Sequence, residues 1–154
     1  MNLNVATEAD INNLMSWFPT ERSVDLWGGP KFRYPFTPET FHEDVHWRDM
    51  DSYCIVDSSE ELLAFGQFYE RHGRINLARL VVSPDRRRQG VGKQLVRLLM
   101  EQGRRSIPRQ EYSLYVYKDN HAAKACYADL GFEEDEYPED DEMADSCLYM
   151  TRPI

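Results

Sequence analysis

Leu80-Val81-Val82-Ser83-Pro84-Asp85-Arg86-Arg87-Arg88-Gln89-Gly90-Val91-Gly92-Lys93 is the stretch on which the reading of this chain turns. An apolar run gives way to Pro84-Asp85, then to a turn of arginine and glycine. A segment follows in which Val91, Leu95, Leu98 and Leu99 recur at helical spacing. A strand therefore feeds a turn that opens a long helix, from Gly90 to near Arg105. The first N–H groups of a helix have no partner inside it and point out of its end. Together with the macrodipole and the neighbouring Arg side chains, they form an anion site. Glycine at positions 90 and 92 removes the Cβ atoms that would hold a diphosphate away from the backbone. Two other phosphate loops do not fit. A Walker loop needs glycine where Arg87 stands and Ser or Thr where Gln94 stands. A dinucleotide fingerprint needs glycine in place of Leu95.

Working upstream, Ile75–Ser83, Leu62–Arg71 and Ser52–Asp57 read as strands, the last two joined by Ser58-Ser59-Glu60-Glu61 as a hairpin. Leu3–Ala6 reads as a short first strand. Thr7 caps a helix that places Ile11, Leu14, Met15 and Phe18 on one face. Trp27-Gly28-Gly29-Pro30 reads as an aromatic-rich loop. Thr37-Pro38 opens another helix, whose inner side holds Phe41, Val45 and Met50. Downstream, Glu111–Tyr117 is a strand, Asn120 to Leu130 a helix ended by Gly131, and Cys147–Thr151 a final strand. Strands and helices in this order predict one α/β (α+β) domain over residues 1–154, with its sheet covered on both faces.

Of the 154 residues 42% are hydrophobic, enough for one core without a disulfide or metal staple. Cys54, Cys126 and Cys147 are widely spaced with no CxxC pair, so reduced and mostly buried thiols are expected, with no metal site. Met1-Asn2-Leu3-Asn4-Val5 lacks the basic start and apolar stretch of a secretory signal, and no apolar run is long enough to span a membrane. A cytoplasmic location, with no membrane association, is the expectation. The net charge of −9 argues against a nucleic-acid partner. The charge is uneven, however. Basic residues cluster from Arg86 to Arg105, and Glu133 to Asp145 is a dense acidic run. An acidic protein with one basic island suits a cationic substrate and an anionic cofactor. A solvated surface is the simpler account of the acidic run.

Arg87-Arg88-Gln89-Gly90-Val91-Gly92, standing after a Leu-x-Val-x-Pro strand, resembles the Arg/Gln-x-x-Gly-x-Gly/Ala signature of the GNAT family of N-acetyltransferases. Asn120-x-x-Ala123-x-x-x-Tyr127-x-x-x-Gly131-Phe132 resembles the second conserved block of that family at the expected distance. The resemblance covers roughly residues 75–132 and implies a mixed, mostly antiparallel sheet flanked by helices. That sheet splays between the Ile75–Ser83 and Glu111–Tyr117 strands to leave a cleft. It further implies that acetyl-CoA is the acyl donor and a primary amine of a small molecule or peptide the acceptor. The Leu80, Val81 and Val82 backbone would pair with the pantetheine arm. The main chain of Arg87, Arg88, Gln89, Gly90, Val91, Gly92 and Lys93 would hold the diphosphate.

By the same resemblance, Asn120 would bond the arm or fix the cleft, and is also a good helix N-cap. Tyr127 takes the position of the acid that serves the leaving thiolate. Asn76 stands where several members carry a glutamate base, which leaves Glu70, His72 and Glu111 as nearby substitutes. Cys126 is not needed as a nucleophile. The aromatic N-terminal third, from Trp27 to Trp47, would shape the acceptor end. A non-catalytic acyl-CoA-binding sensor or partner-binding module is the alternative. The oligomeric state stays open, a homodimer being common among such small enzymes.

Overall fold

Thr7, Thr20 and Thr37 each start a helix by the same device. The threonine hydroxyl accepts from the N–H three residues on, and the side chain at that position (Asp10, Ser23 or Thr40) accepts from the cap N–H in return. Two otherwise orphaned donors are satisfied at each helix start. The computed structural model describes residues 2–154. These boxes open α1 (Glu8–Leu14), α2 (Glu21–Gly28) and α3 (Pro38–Val45). The strand β1 (Leu3–Val5) precedes them. Helix α2 corrects the sequence reading, which ran loop through Trp27-Gly28. It is short and buries only Val24 fully, so no long apolar stripe announces it. Helix α3 ends at Val45, where His46 takes a left-handed conformation (φ 57°), so Met50 lies beyond it.

The remaining elements are β2 (Asp51–Val56), β3 (Leu62–Arg71), β4 (Arg74–Val82), α4 (Val91–Ser106), β5 (Glu111–Tyr117), α5 (His121–Asp129), β6 (Glu133–Asp135) and β7 (Cys147–Pro153). Seven strands form one sheet in the order β1-β2-β3-β4-β5-β7-β6. All neighbours pair antiparallel except β4 and β5, which run parallel. Strand β6 is hidden in the acidic run. Its three exposed residues pair with Tyr149–Thr151 and carry no apolar alternation to reveal it.

Both faces of the sheet are covered. Helix α4 packs Leu95, Val96 and Leu99 against Phe68, Ile75 and Leu77 on one face. On the other, Ile11, Leu14, Val24, Phe41 and Val45 close over Cys54 and Phe65. Cys54 and Ile55 of β2 thus point to opposite cores, as strand alternation requires.

Two irregularities open the middle of the sheet. The β4–β5 ladder holds only Ile75↔Tyr112, Asn76↔Ser113 and Leu77↔Leu114, after which the strands part. In β4 the register slips beside Gly66, Gln67 facing Ala78 but Phe65 facing Val81, so an extra residue bulges at Arg79 (φ 48°). Among the described residues no helix is long and apolar enough to cross a membrane, and no three metal-ligating side chains stand together.

Candidate active site

The bulge at Arg79 and the loss of pairing beyond Leu77 leave one edge of β4 open. On the other edge, the Ser83 N–H donates to the Leu63 carbonyl at 2.8 Å. Hydrogen-bonding direction alternates along a strand, so Val81 faces β3 as Ser83 does, and the Val82 N–H and carbonyl turn to the open edge. Leu80, Val81 and Val82 all line a groove of about 980 Å³ that runs from this edge to the start of α4.

Helix α4 differs from its neighbours at that start. Its cap is Gly90, whose φ of 80° is left-handed, and no side chain caps it. Among the described residues nothing accepts from the N–H groups of Val91, Gly92 and Lys93. Arg88 also takes a positive φ, 63°. A turn of this kind, with main-chain N–H groups converging, is an anion-binding concavity. A Cβ on Gly90 would meet nothing within 4 Å, and one on Gly92 only Val82 Cγ2 at 3.6 Å. The space above both is open to a ligand.

Arg87, Arg88, Gly90, Val91, Gly92 and Lys93 line the groove. Gln89 is exposed and stands outside the wall, so only its main chain remains a candidate. The Val91 side chain is buried in the core, leaving its N–H as its contribution. Arg86 is spent on Glu61 at 2.6 Å and Asp57 at 3.6 Å, whereas Arg87 and Arg88 have no ion-pair partner among the described residues. Lys93 pairs with Asp129 at 2.9 Å across to α5.

A second cavity, about 330 Å³, opens on the other side of the splay between β4 and β5. Leu80, Trp27, Leu26, Asn120 and Tyr127 belong to the walls of both spaces, so the two meet there. Asn120 caps α5, its Oδ1 accepting from the Ala123 N–H at 3.2 Å, and its amide N–H groups have no acceptor among the described residues. Tyr127 is half-buried, packed edge-on against Phe132. Burial pushes its phenol above the ordinary range, and its hydroxyl has no hydrogen-bond partner among the described residues.

The family model for the acetyltransferase (GNAT) family matches residues 14–132. The chain belongs to the acetyltransferase (GNAT) family. The fold agrees with solved structures across the whole chain. PaiA N-acetyltransferase from Thermoplasma acidophilum, in complex with coenzyme A, superposes with a TM-score of 0.73 at 17% identity, over 99% of this chain and 98% of that one. Ribosomal-protein-alanine N-acetyltransferase from Brucella melitensis gives 0.72 at 18% identity, covering both chains fully at 100%. Spermidine N-acetyltransferase from Vibrio cholerae, in complex with CoA and spermine, gives 0.73 at 15% identity, over 99% and 94%. As a GNAT acetyltransferase, the chain takes acetyl-CoA as its co-substrate. The uncapped α4 start, with open space over two glycines, fits the diphosphate of such a molecule.

The smaller cavity of this GNAT domain draws on residues that the sequence did not single out. Tyr69, Arg71 and Arg79 come from β3 and β4, Tyr115 from β5, and Tyr137, Glu139 and Asp141 from the acidic run. Glu139 is not part of a solvated face. Its carboxylate accepts from the Tyr115 hydroxyl and from Arg71, and meets His72 Nε2 at 3.1 Å. Arg71 in turn lies 4.7 Å over the Tyr115 ring. The substitutes for a base are all occupied: Glu70 by Arg109 at 3.0 Å, Glu111 by Arg74 at 3.3 Å, and His72 by Glu139. Asn76 is buried, and its Oδ1 accepts from Ser113 Oγ at 3.0 Å, tying β4 to β5 just before they part.

Of the aromatic third, Phe32 and Phe41 are core. Trp27 alone of that set reaches both cavities, stacked on Phe18 at 4.3 Å with its Nε1 donating to the Arg79 carbonyl at 2.8 Å. Cys126, expected buried, is half-buried and borders the groove, where burial raises its thiol pKa.

Proposed function

We propose that the protein transfers the acetyl group of acetyl-CoA directly to a primary amine of a small molecule held in the smaller cavity. The observation that carries this reading is the junction at Tyr127, where the coenzyme-sized groove and the smaller cavity share one wall through the β4–β5 splay. Acetyl-CoA supplies an activated carbonyl and a thiolate leaving group. The N–H groups at the α4 start, flanked by Arg87, Arg88 and Lys93, bind its diphosphate, and the open edge of β4 at Leu80–Val82 orients its arm. The outward Val82 N–H stands as a donor to the carbonyl oxygen, a role in which one lost donor typically costs about 10²–10³ in rate.

Tyr127 presents its hydroxyl to the sulfur. An ordinary phenol titrates near 10 and a thiol near 8.5, so proton transfer from tyrosine is already uphill by about 2 kcal/mol. Burial raises the Tyr127 phenol further. It therefore acts chiefly as a hydrogen-bond donor to developing negative charge. With Asn76 on β4 in place of a carboxylate and the nearby bases held in ion pairs, the acceptor ammonium loses its proton to water in the open cavity.

Incubation with acetyl-CoA and a panel of primary amines, read by thiol release, tests this. Amine-dependent release is expected. Tight binding of acetyl-CoA without turnover on any amine would instead mark a coenzyme sensor.

A further inference from the structure

Two guanidinium groups line the smaller cavity, and they are treated differently. Arg71 is neutralised by Glu139. Arg79 forms no ion pair among the described residues, although much of its side chain is out of water. Its Nη1 donates to Gln67 Oε1 at 3.0 Å and approaches Met50 Sδ at 3.9 Å. Its Nε is buried with no acceptor among the described residues. Asp44, whose charge Arg79 feels, is already gripped by Arg33 through bonds of 3.1 and 2.8 Å.

The placement of this cation is built into the fold. Gln67 is fully buried and donates both amide hydrogens, to the Val45 carbonyl at 2.8 Å and Ser52 Oγ at 2.9 Å. Its Oε1 is thereby fixed toward Arg79. The Arg79 backbone sits in the bulge, where Trp27 holds its carbonyl. A desolvated charge without a partner is costly, and removing water from it lowers the affinity of the group for its own proton. Planar guanidinium donors left open to a cavity match a carboxylate in both charge and geometry.

We propose that Arg79 binds the carboxylate of a zwitterionic acceptor, so that the amine acetylated belongs to a free amino acid or a similarly short amino carboxylate. This rests on the amine-acetylation reading above and narrows it. The size of the cavity agrees. At about 330 Å³ it lies near the lower end of small-molecule sites, which span about 300–1,000 Å³. Asp25 and Asp141 border the same space, so both signs of charge face the acceptor.

The test uses matched sets: a panel of L-amino acids, their primary amides and their decarboxylated amines, with spermidine added. For the best amino acid, kcat/KM exceeds that of its amide and its amine by about 10–100-fold, the usual range for a charge-assisted pair. In R79Q, with folding checked by circular dichroism, that ratio falls to within about threefold, and the loss on the amino acid appears in KM. Equal or faster turnover of the decarboxylated amines or of spermidine by the unaltered enzyme overturns the assignment while leaving amine acetylation intact. No turnover of any amine removes both. A ratio in R79Q equal to that of the unaltered enzyme overturns the role of Arg79.

Discussion

Replacing Tyr127 by phenylalanine separates chemistry from folding unusually cleanly. In most buried tyrosines, loss of the hydroxyl leaves a partner unsatisfied and costs about 1–3 kcal/mol. Here the hydroxyl has no partner to orphan among the described residues, while the ring, packed against Phe132, is retained. The expected change in stability is within about 0.5 kcal/mol, a Tm shift of about 1–2 °C for a chain of this length. Affinity for coenzyme A, which we assign to main-chain donors at the α4 start, stays within about threefold. Loss of one hydrogen-bond donor to the charge developing on sulfur costs about 10²–10³ in kcat. Steady-state kinetics by thiol release, with calorimetric titration of coenzyme A and a thermal melt on the same preparation, measure all three. A variant that turns over at the original rate removes Tyr127 from the mechanism. One that melts many degrees lower shows the hydroxyl to be structural.

Gly92→Glu places bulk and negative charge in open space above the α4 start. It should abolish coenzyme A binding in a calorimetric titration, with the far-ultraviolet dichroism of the folded protein unchanged. Gly92→Ala, whose Cβ meets only Val82 at an ordinary contact distance, should instead raise the Tm slightly, by less than the about 1 kcal/mol that separates alanine from glycine in a helix interior, because position 92 lies in the first turn of α4. Trp27→Phe keeps the stack on Phe18 but deletes the bond to the Arg79 carbonyl, so KM for the acceptor should rise with Tm lower by about 2–4 °C. Stability against pH should fall away on both sides. Tyr53, Tyr112, Tyr117 and Tyr127 have phenols raised by burial, so their contribution is present below about pH 10, where the unfolded chain begins to ionise, and is lost above it. Asp44, beside Arg33, has a lowered carboxyl, and its contribution, present above about pH 4, is lost in stronger acid. Chemical denaturation across this range reads both limbs, and a stability that increases beyond pH 10 would contradict the first.

The uncapped α4 start, which we assign to the coenzyme, was legible in the sequence because its geometry is local. A helix start, two glycines and the preceding strand lie within fourteen consecutive residues, Leu80–Lys93, and main-chain geometry follows from them. The smaller cavity, which we assign to the acceptor, was not legible. It is assembled by tertiary contacts from α2, β3, β4, β5 and the segment after β6, which come together only when the sheet forms. Glu139 looked like one more solvated acid, and nothing nearby in sequence announces that Arg71 and Tyr115 enclose it. Arg79 did carry a signal: a charge interrupting the apolar run of β4, between Ala78 and Leu80. The bulge that turns it inward depends on the pairing with β3 and has no signature of its own.

Whether main-chain amides at the start of α4 and along the free edge of β4 grip the coenzyme decides the rest. Amide hydrogen exchange, followed with and without coenzyme A, addresses those groups directly. Slowed exchange should concentrate in Arg87–Lys93 and at Val82, with the capped starts of α1, α2 and α3 unchanged. Saturation with coenzyme A that leaves exchange in those two segments as it was would contradict that grip.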